Sequence, residues 1–182
     1  KSVNESLHSG IAFIPESREL DGLIGSFSIA ENLILDTYDS PPNAKKLMMN
    51  LNVINSDAIN RIKEFDIRSQ GANELVSSLS GGNRQKVVLA RELSRPVKVV
   101  VASQPTRGLD VGSIEFVHEK IVQERDAGRA VLLFSSELDE VFALADRIAV
   151  MYRGTIIDIV PASISRSDLG LLMAGIKPKV SS

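Results

Sequence analysis

The sequence predicts an α/β fold with a mainly parallel sheet, helices on both faces and a small helical subdomain. Three short apolar runs, at residues 11–15, 98–102 and 130–135, have the length and composition of buried strands. Helix-like segments separate the last two runs and follow the last one. Strands that are apolar throughout and alternate with helices are typical of a parallel sheet covered on both sides.

The composition is that of an ordinary soluble globular domain, with 43% hydrophobic and 24% charged residues among 182. A formal net charge of −2 gives no electrostatic reason to expect nucleic acid as a partner. The absence of cysteine excludes disulfides and thiolate metal sites. No apolar run approaches the roughly 20 residues of a membrane-spanning helix, and no signal peptide is visible.

Local signals predict the remaining elements. Ser28 is placed to cap a short helix, and Glu31 stands at its third position. Residues 36–43 are rich in turn formers and include Pro41-Pro42. Further helices are expected at 44–50, 57–65, 80–93, 111–127, 137–145 and 165–175. Strands at 147–152 and 155–160 are expected to form a hairpin around Arg153-Gly154.

The most informative motif is Leu79-Ser80-Gly81-Gly82-Asn83, which opens the predicted helix at 80–93. Ser80 can cap the helix, and the two glycines allow backbone N–H groups to approach a ligand. The N-terminus of a helix favours anions because its N–H groups are unpaired and the helix dipole is positive there. Taken alone, the motif also fits a capped helix after a glycine-rich turn.

This motif resembles the signature of ATP-binding cassette (ABC) proteins, and other segments match the same family in order. Residues 99–110 resemble the magnesium-site strand and the D-loop, and residues 131–137 resemble the switch strand. Ile14-Pro15-Glu16 stands at the Q-loop, while residues 146–151 with Gly154 resemble the closing strands. The resemblance implies a P-loop-NTPase-like ABC ATPase domain.

The subtype resembles the second half of the fused ATPases of simple-sugar and nucleoside importers. The residues that carry this likeness are Pro15-Glu16-Ser17-Arg18, Asp21-Gly22-Leu23, 28–33, 135–138 and 171–175. The resemblance implies a C-terminal ATPase domain that lacks its N-terminal part, because the sequence contains no G-x-x-x-x-G-K-[ST] phosphate loop. The missing loop would precede Lys1, so the chain alone is expected to bind no ATP and to be inactive.

The resemblance also divides the chain. Residues 1–28 would hold a core strand and the Q-loop, and residues 29–78 the helical subdomain. Residues 79–176 would hold the signature helix and the α/β core, and residues 177–182 a loose tail.

Several positions depart from the family pattern. Ser103 and Gln104 stand where the family has Asp-Glu, so we expect a degenerate magnesium position and a degenerate base position. A serine hydroxyl is a weak magnesium ligand, and a neutral amide cannot act as a general base. Ser136 stands at the switch position. Glu16 replaces the Q-loop glutamine and could still offer an oxygen to Mg²⁺ or contact nucleotide.

The nucleotide-binding residues implied by the resemblance are Leu79, Ser80, Gly81, Gly82, Asn83, Asp110 and Glu16. Asp110 would lie at the seam between paired domains and would also cap the helix from Val111 onward. Arg107 could reach a phosphate or a partner's carboxylate, or could form a structural ion pair; the sequence leaves this open.

The implied function is the ATP-binding subunit of a sugar or nucleoside importer, using ATP and Mg²⁺ in the intact protein. Its expected partners are an N-terminal ATP-binding domain of the same polypeptide, membrane permease subunits and, indirectly, an extracytoplasmic solute-binding protein. Its expected place is peripheral, at the cytoplasmic face of the plasma membrane. The alternatives are a soluble ABC protein of translation or DNA repair and a non-catalytic regulatory domain. DNA-repair members are disfavoured because only about 60 residues, without heptads, separate the Q-loop from the signature. Translation members would be expected to keep Asp-Glu where Ser103 and Gln104 stand.

Overall fold

The computed structural model describes residues 3–46 and 48–176, which form two compact units divided between Phe134 and Ser135. The helices are α1 (Val3–His8), α2 (Ile29–Leu33), α3 (Leu51–Glu64), α4 (Gly81–Leu93), α5 (Val111–Asp126), α6 (Leu138–Leu144) and α7 (Arg166–Met173). The strands are β1 (Ile11–Ile14), β2 (Ala44–Lys45), β3 (Met48–Met49), β4 (Val99–Ser103), β5 (Ala130–Phe134), β6 (Arg147–Tyr152) and β7 (Thr155–Pro161). A π-helical turn covers Arg18–Gly22, and a 3-10 turn covers Val76–Ser78.

The first unit is built on a parallel sheet with the strand order β1-β4-β5. The central strand β4 pairs through Ala102 with Ile14 on one side and with Leu133 on the other. Ala12, Ile14, Val100 and Ala102 are fully buried, so one face of β1 and β4 belongs to the core. The three predicted parallel strands are confirmed.

Helix α4 lies in the interior of this unit. Its residues from Gln85 to Leu93 are all buried, and the helix packs against β1, α2, α3, α5 and the π-helical turn. A helix that is buried on every side can carry charged side chains only if each finds a partner. The charged residues of α4 therefore decide which neighbouring segments are attached to it.

The predicted helix at 44–50 is wrong, because this stretch forms the short antiparallel pair β2 and β3. The Asn50 N–H donates to the Asn43 carbonyl at 2.7 Å, and Lys46 between the two strands adopts a φ of 58°. A left-handed residue ends any helix, so the chain turns back here. Helix α3 begins at Leu51, earlier than the predicted 57, because the Asn50 side chain accepts from the Val53 N–H and caps it.

The π-helical turn lies in a segment expected to be a loop. Ser17 Oγ accepts from the Leu20 N–H at 3.2 Å, which is a local capping contact. At the other end, the buried Arg91 side chain donates to the Gly22 carbonyl at 2.7 Å. The turn is therefore stabilised by a residue 69 positions away, which no local pattern indicates. Helix α1 is a second element that was not predicted from the sequence.

The second unit contains α6, the antiparallel pair β6–β7 and α7. Arg153 and Gly154 have φ values of 47° and 80°, which is the geometry of a tight hairpin turn, so the predicted hairpin is confirmed. The fully buried part of its core consists of Ile148, Val150, Leu169 and Leu172. The predicted loose tail, residues 177–182, lies outside the described residues.

Within the described ranges, no helix is both long and apolar enough to span a bilayer. The segment boundaries expected at residues 28, 78 and 176 stay a prediction.

The cap of α2 gives a testable prediction for stability. Ser28 Oγ accepts from the Glu31 N–H at 3.2 Å and donates to Glu31 Oε2 at 2.7 Å, while the Ser28 N–H donates to the same oxygen at 2.7 Å. We expect Ser28→Ala to lower the free energy of unfolding by about 1 kcal/mol. Ser56→Ala on the exposed side of α3 is the matched control and should change little. Urea unfolding measures both; equal effects would contradict the prediction.

The same cap gives a pH dependence. The Ser28 hydroxyl, followed by the Ser28 N–H, lowers the pKa of Glu31. A lowered folded-state pKa stabilises the fold fully above the ordinary glutamate pKa of about 4.3 and loses that contribution as the pH falls through the folded pKa. The stability difference between wild type and Ser28→Ala should therefore shrink on acidification, and a difference that grows would contradict it.

Candidate functional site

The signature begins α4 as the sequence predicted. Ser80 has the extended dihedrals of an N-cap, and its Oγ accepts from the Asn83 N–H at 3.4 Å and from Asn83 Nδ2 at 3.0 Å. Leu79 is buried and Ser80 is exposed. The helix start therefore presents the exposed Ser80 side chain, while Gly81 and Asn83 are half-buried, Gly82 is buried and the later turns of the helix are buried.

Gly82 is packed against the start of α5. A Cβ on Gly82 would overlap Ser113 Oγ and lie 3.3 Å from Asp110 Oδ2, so a side chain there would force Ser113 to move. Asp110 caps α5 by accepting from the Ser113 N–H at 2.9 Å and from the Ser113 hydroxyl at 2.8 Å. These hydrogen bonds, the hydroxyl first, lower the pKa of Asp110 and keep it ionised. The predicted cap is confirmed, and the signature touches residues 105–110, here called the D-loop segment.

Polar contacts also fix the signature to the residues that precede it. Asn83 Oδ1 accepts from the Arg68 N–H at 2.9 Å. Arg84 donates to the Val76 carbonyl at 3.1 Å, to the Ser77 carbonyl at 2.7 Å and to a Glu19 carboxylate oxygen at 2.7 Å. Arg84 is a functional candidate that was not predicted from the sequence. Its only signal was its place directly after the signature.

Ser103 and Gln104 lie together at the carboxyl end of β4. Ser103 pairs with Phe134 of β5, and the Gln104 N–H donates to the Phe134 carbonyl at 2.7 Å. Gln104 has a φ of 47°, a left-handed conformation that costs a non-glycine residue about 1 kcal/mol or more. Neither side chain can carry a proton away at neutral pH. This strand end offers neutral polar groups only.

Glu16 forms an ion pair with Arg107, which connects the loop after β1 to the D-loop segment. Both side chains are more than half exposed, so the pair contributes little stability by itself. The structural ion pair, one of the three readings of Arg107, is the arrangement found here.

The donor groups present do not fit a magnesium site. Mg²⁺ prefers carboxylate and phosphate oxygens in octahedral geometry. Here the available groups are a serine hydroxyl, a glutamine amide and a carboxylate already paired with an arginine. Among the described residues, no cluster of three or more His, Asp or Glu side chains could hold a metal ion.

Ser136 is exposed and belongs to the second unit, next to Ser135, whose hydroxyl accepts from the Glu137 N–H at 3.0 Å. Within the first unit, the signature packs against Asp110, and Arg107 contacts both Glu16 and Gln104. The first unit does not include the predicted switch residue.

Comparison with known proteins supports the resemblance. No family model matches the chain. It is 47% identical over 166 residues to the nucleoside import ATP-binding protein NupA of Lactococcus lactis, and 45% identical over 168 residues to the guanosine import ATP-binding protein NupO of Bacillus subtilis. These matches cover 91% and 92% of the chain. The chain belongs to the ABC transporter ATP-binding proteins. It spans 33% of the length of each of these relatives.

A further relative and a solved structure are also similar to this ABC chain. The glucose import ATP-binding protein TsgD13 of Haloferax volcanii is 36% identical over 174 residues, which are 93% of the chain and 31% of that protein. The solved ATP-binding cassette MJ0796, bound to ADP and phosphate, superposes with a TM-score of 0.72 at 21% identity, covering 91% of this chain and 69% of that one. This likeness confirms the predicted P-loop-NTPase-like ABC fold.

The contact at Gly82 gives a testable prediction. Gly82→Ala should lower the free energy of unfolding by about 1 to 3 kcal/mol, because the added methyl group overlaps Ser113. Gly170→Ala in α7 is the matched control: nothing lies within 4 Å of its Cβ, so it should gain about 0.5 to 1 kcal/mol. Ser113→Ala should recover part of the Gly82→Ala loss. Equal effects of the two glycine changes in thermal unfolding would contradict this.

Proposed function

We propose that this chain is the signature-bearing part of the ATP-binding subunit of an ABC importer for nucleosides or simple sugars. The observation that carries the proposal is the exposed, Ser80-capped start of α4 on a helix that is otherwise buried. Such a helix start binds phosphate oxygens through N–H groups whose positions are already fixed, so little ordering entropy is lost on binding.

In this proposal the signature serves an ATP site whose phosphate loop lies on another domain. That domain would be an N-terminal ATP-binding domain of the same polypeptide. Leu79, Ser80, Gly81, Gly82 and Asn83 would face its bound nucleotide, and Asp110 would lie at the seam between the two domains. The chain's own strand end would bind nucleotide with little hydrolysis, because Ser103 and Gln104 offer neither a carboxylate nor a base. The resemblance assigns Ser136 to the switch position.

The identities support nucleosides ahead of sugars. The two relatives named for nucleoside or guanosine import are 45–47% identical, whereas the relative named for glucose import is 36% identical. The proposed partners are membrane permease subunits and, through them, an extracytoplasmic solute-binding protein. The proposed place of action is the cytoplasmic face of the plasma membrane. Contact with the permease would involve the loop near Glu16 and the helical subdomain.

A second candidate, a non-catalytic regulatory domain, is favoured by one observation. Glu16 is the carboxylate that the sequence predicts as a possible metal ligand. It forms an ion pair with Arg107 and is therefore already engaged. A domain of this kind would bind a partner ATPase without contacting nucleotide. The two candidates differ in whether Ser80 affects ATP turnover.

Substitution of Ser80 tests the proposal in the longer protein. Ser80→Arg should reduce ATP turnover about tenfold or more, because a long side chain replaces the hydroxyl at the phosphate-facing helix start. Ser94→Arg is the matched control: this serine is also exposed but lies at the opposite end of α4, and turnover should stay within about twofold. Unchanged turnover in Ser80→Arg would favour the regulatory candidate.

The degenerate strand end has its own test. Ser103→Asp with Gln104→Glu should shorten the time for which labelled ATP stays bound, because a carboxylate ligand and a base would permit hydrolysis there. Filter binding in the presence of Mg²⁺ measures this retention. Ser103→Asn with wild-type Gln104 is the control without new charge. No difference between the double variant and wild type would contradict the proposed asymmetry.

A further inference from the structure

Arg18 lies where three segments of the proposed ATP-facing surface meet. Its Nη1 donates to the Arg107 carbonyl oxygen at 3.1 Å. Its Nη2 lies 3.0 Å from the point that a Cβ on Gly81 would occupy, and 4.0 Å from the corresponding point on Gly108. One guanidinium therefore contacts both the D-loop segment and the first glycine of the signature.

The turn that carries Arg18 is firmly attached to α4. Glu19 pairs with Arg84 at 2.7 Å, and the Gly22 carbonyl accepts from buried Arg91 at 2.7 Å. Gly22 also packs tightly, since a Cβ there would lie 3.1 Å from Val88 Cγ2. The backbone that carries the Arg18 side chain is therefore held in place by α4.

Arg107 is bound by this segment in two ways. Glu16 pairs with its guanidinium, and Arg18 donates to its backbone carbonyl. The side-chain pair is exposed and weak, and its geometry depends on two flexible side chains. The contact to the Arg107 carbonyl, in contrast, is made with the backbone of the D-loop segment.

We propose that Arg18 is a positioning residue that holds the D-loop segment against the signature. A methyl group on Gly81 would lie 3.0 Å from Arg18 Nη2, so the guanidinium that binds the Arg107 carbonyl would have to shift. This differs from Gly82, which is constrained by Ser113. The consequence for ATP rests on the proposed function, because Asp110 and Ser80 would then face the partner site as one surface. The positioning itself does not depend on nucleotide.

Amide hydrogen exchange on the chain tests this. The Arg107 N–H donates to the Gln104 carbonyl and the Leu109 N–H to the Thr106 carbonyl, both at 3.1 Å, so their exchange reports opening of the D-loop segment. Arg18→Met should speed exchange at both amides about fivefold, the loss expected for one hydrogen bond of about 1 kcal/mol. Arg125→Met, which removes an exposed pair with neighbouring Asp126, should leave both amides unchanged.

Two further variants separate positioning from general destabilisation. Arg18→Lys keeps a charged donor and should recover part of the protection at both amides. Gly81→Ala should speed exchange as Arg18→Met does, and the double variant should be no faster than either single variant. Unchanged exchange in Arg18→Met, no recovery with lysine, or additive effects would each overturn the proposal. No nucleotide is present, so this result is independent of the Ser80→Arg result.

Discussion

The burial of α4 is the constraint on which the rest of the first unit depends. From Gln85 to Leu93 the helix has no solvent-facing side, yet it carries Lys86, Arg91 and Glu92. A buried charge without a partner would cost several kcal/mol, so each of these residues must be paired inside the fold. Arg91 and Glu92 pair with each other at 3.0 Å, and each charged residue also contacts a segment that is distant in the sequence. These distant contacts determine how the surroundings of the signature are assembled.

Each pairing attaches one segment to the helix. Glu92 accepts from the Phe13 N–H of β1 at 3.1 Å, and Arg91 donates to the Gly22 carbonyl at the end of the π-helical turn. Lys86 contacts the Asp66 carboxylate at 2.7 Å, just after α3. Helix α4 therefore holds the loop after β1 and the helical subdomain in place next to the signature that begins it. Ser80 is exposed at the start of this helix, and its backbone is held in place because the following turns are buried.

The signature and the carboxyl end of β4 differ in the chemical groups that they offer, although both lie in the first unit. The signature is capped, closely packed and exposed only where a ligand could approach it. The strand end at Ser103 and Gln104 offers neutral groups, and Glu16 is paired with Arg107. Packing around Gly82 does not use any group of the strand end. The signature can therefore stay well formed although Ser103 and Gln104 supply no carboxylate, which is the physical basis of the asymmetry we propose.

Features that depend on neighbouring residues could be predicted from the sequence: the apolar parallel strands, the cap of α2, and the caps at Ser80 and Asp110, each closed over three residues. The β2–β3 pair, the π-helical turn and the contacts of Gly82 and Arg18 became visible only in the folded chain. The Glu16–Arg107 pair joins residues 91 positions apart, and Arg91 reaches Gly22 across 69. Such contacts arise from how the chain folds back on α4, and no local pattern of residues encodes that distance.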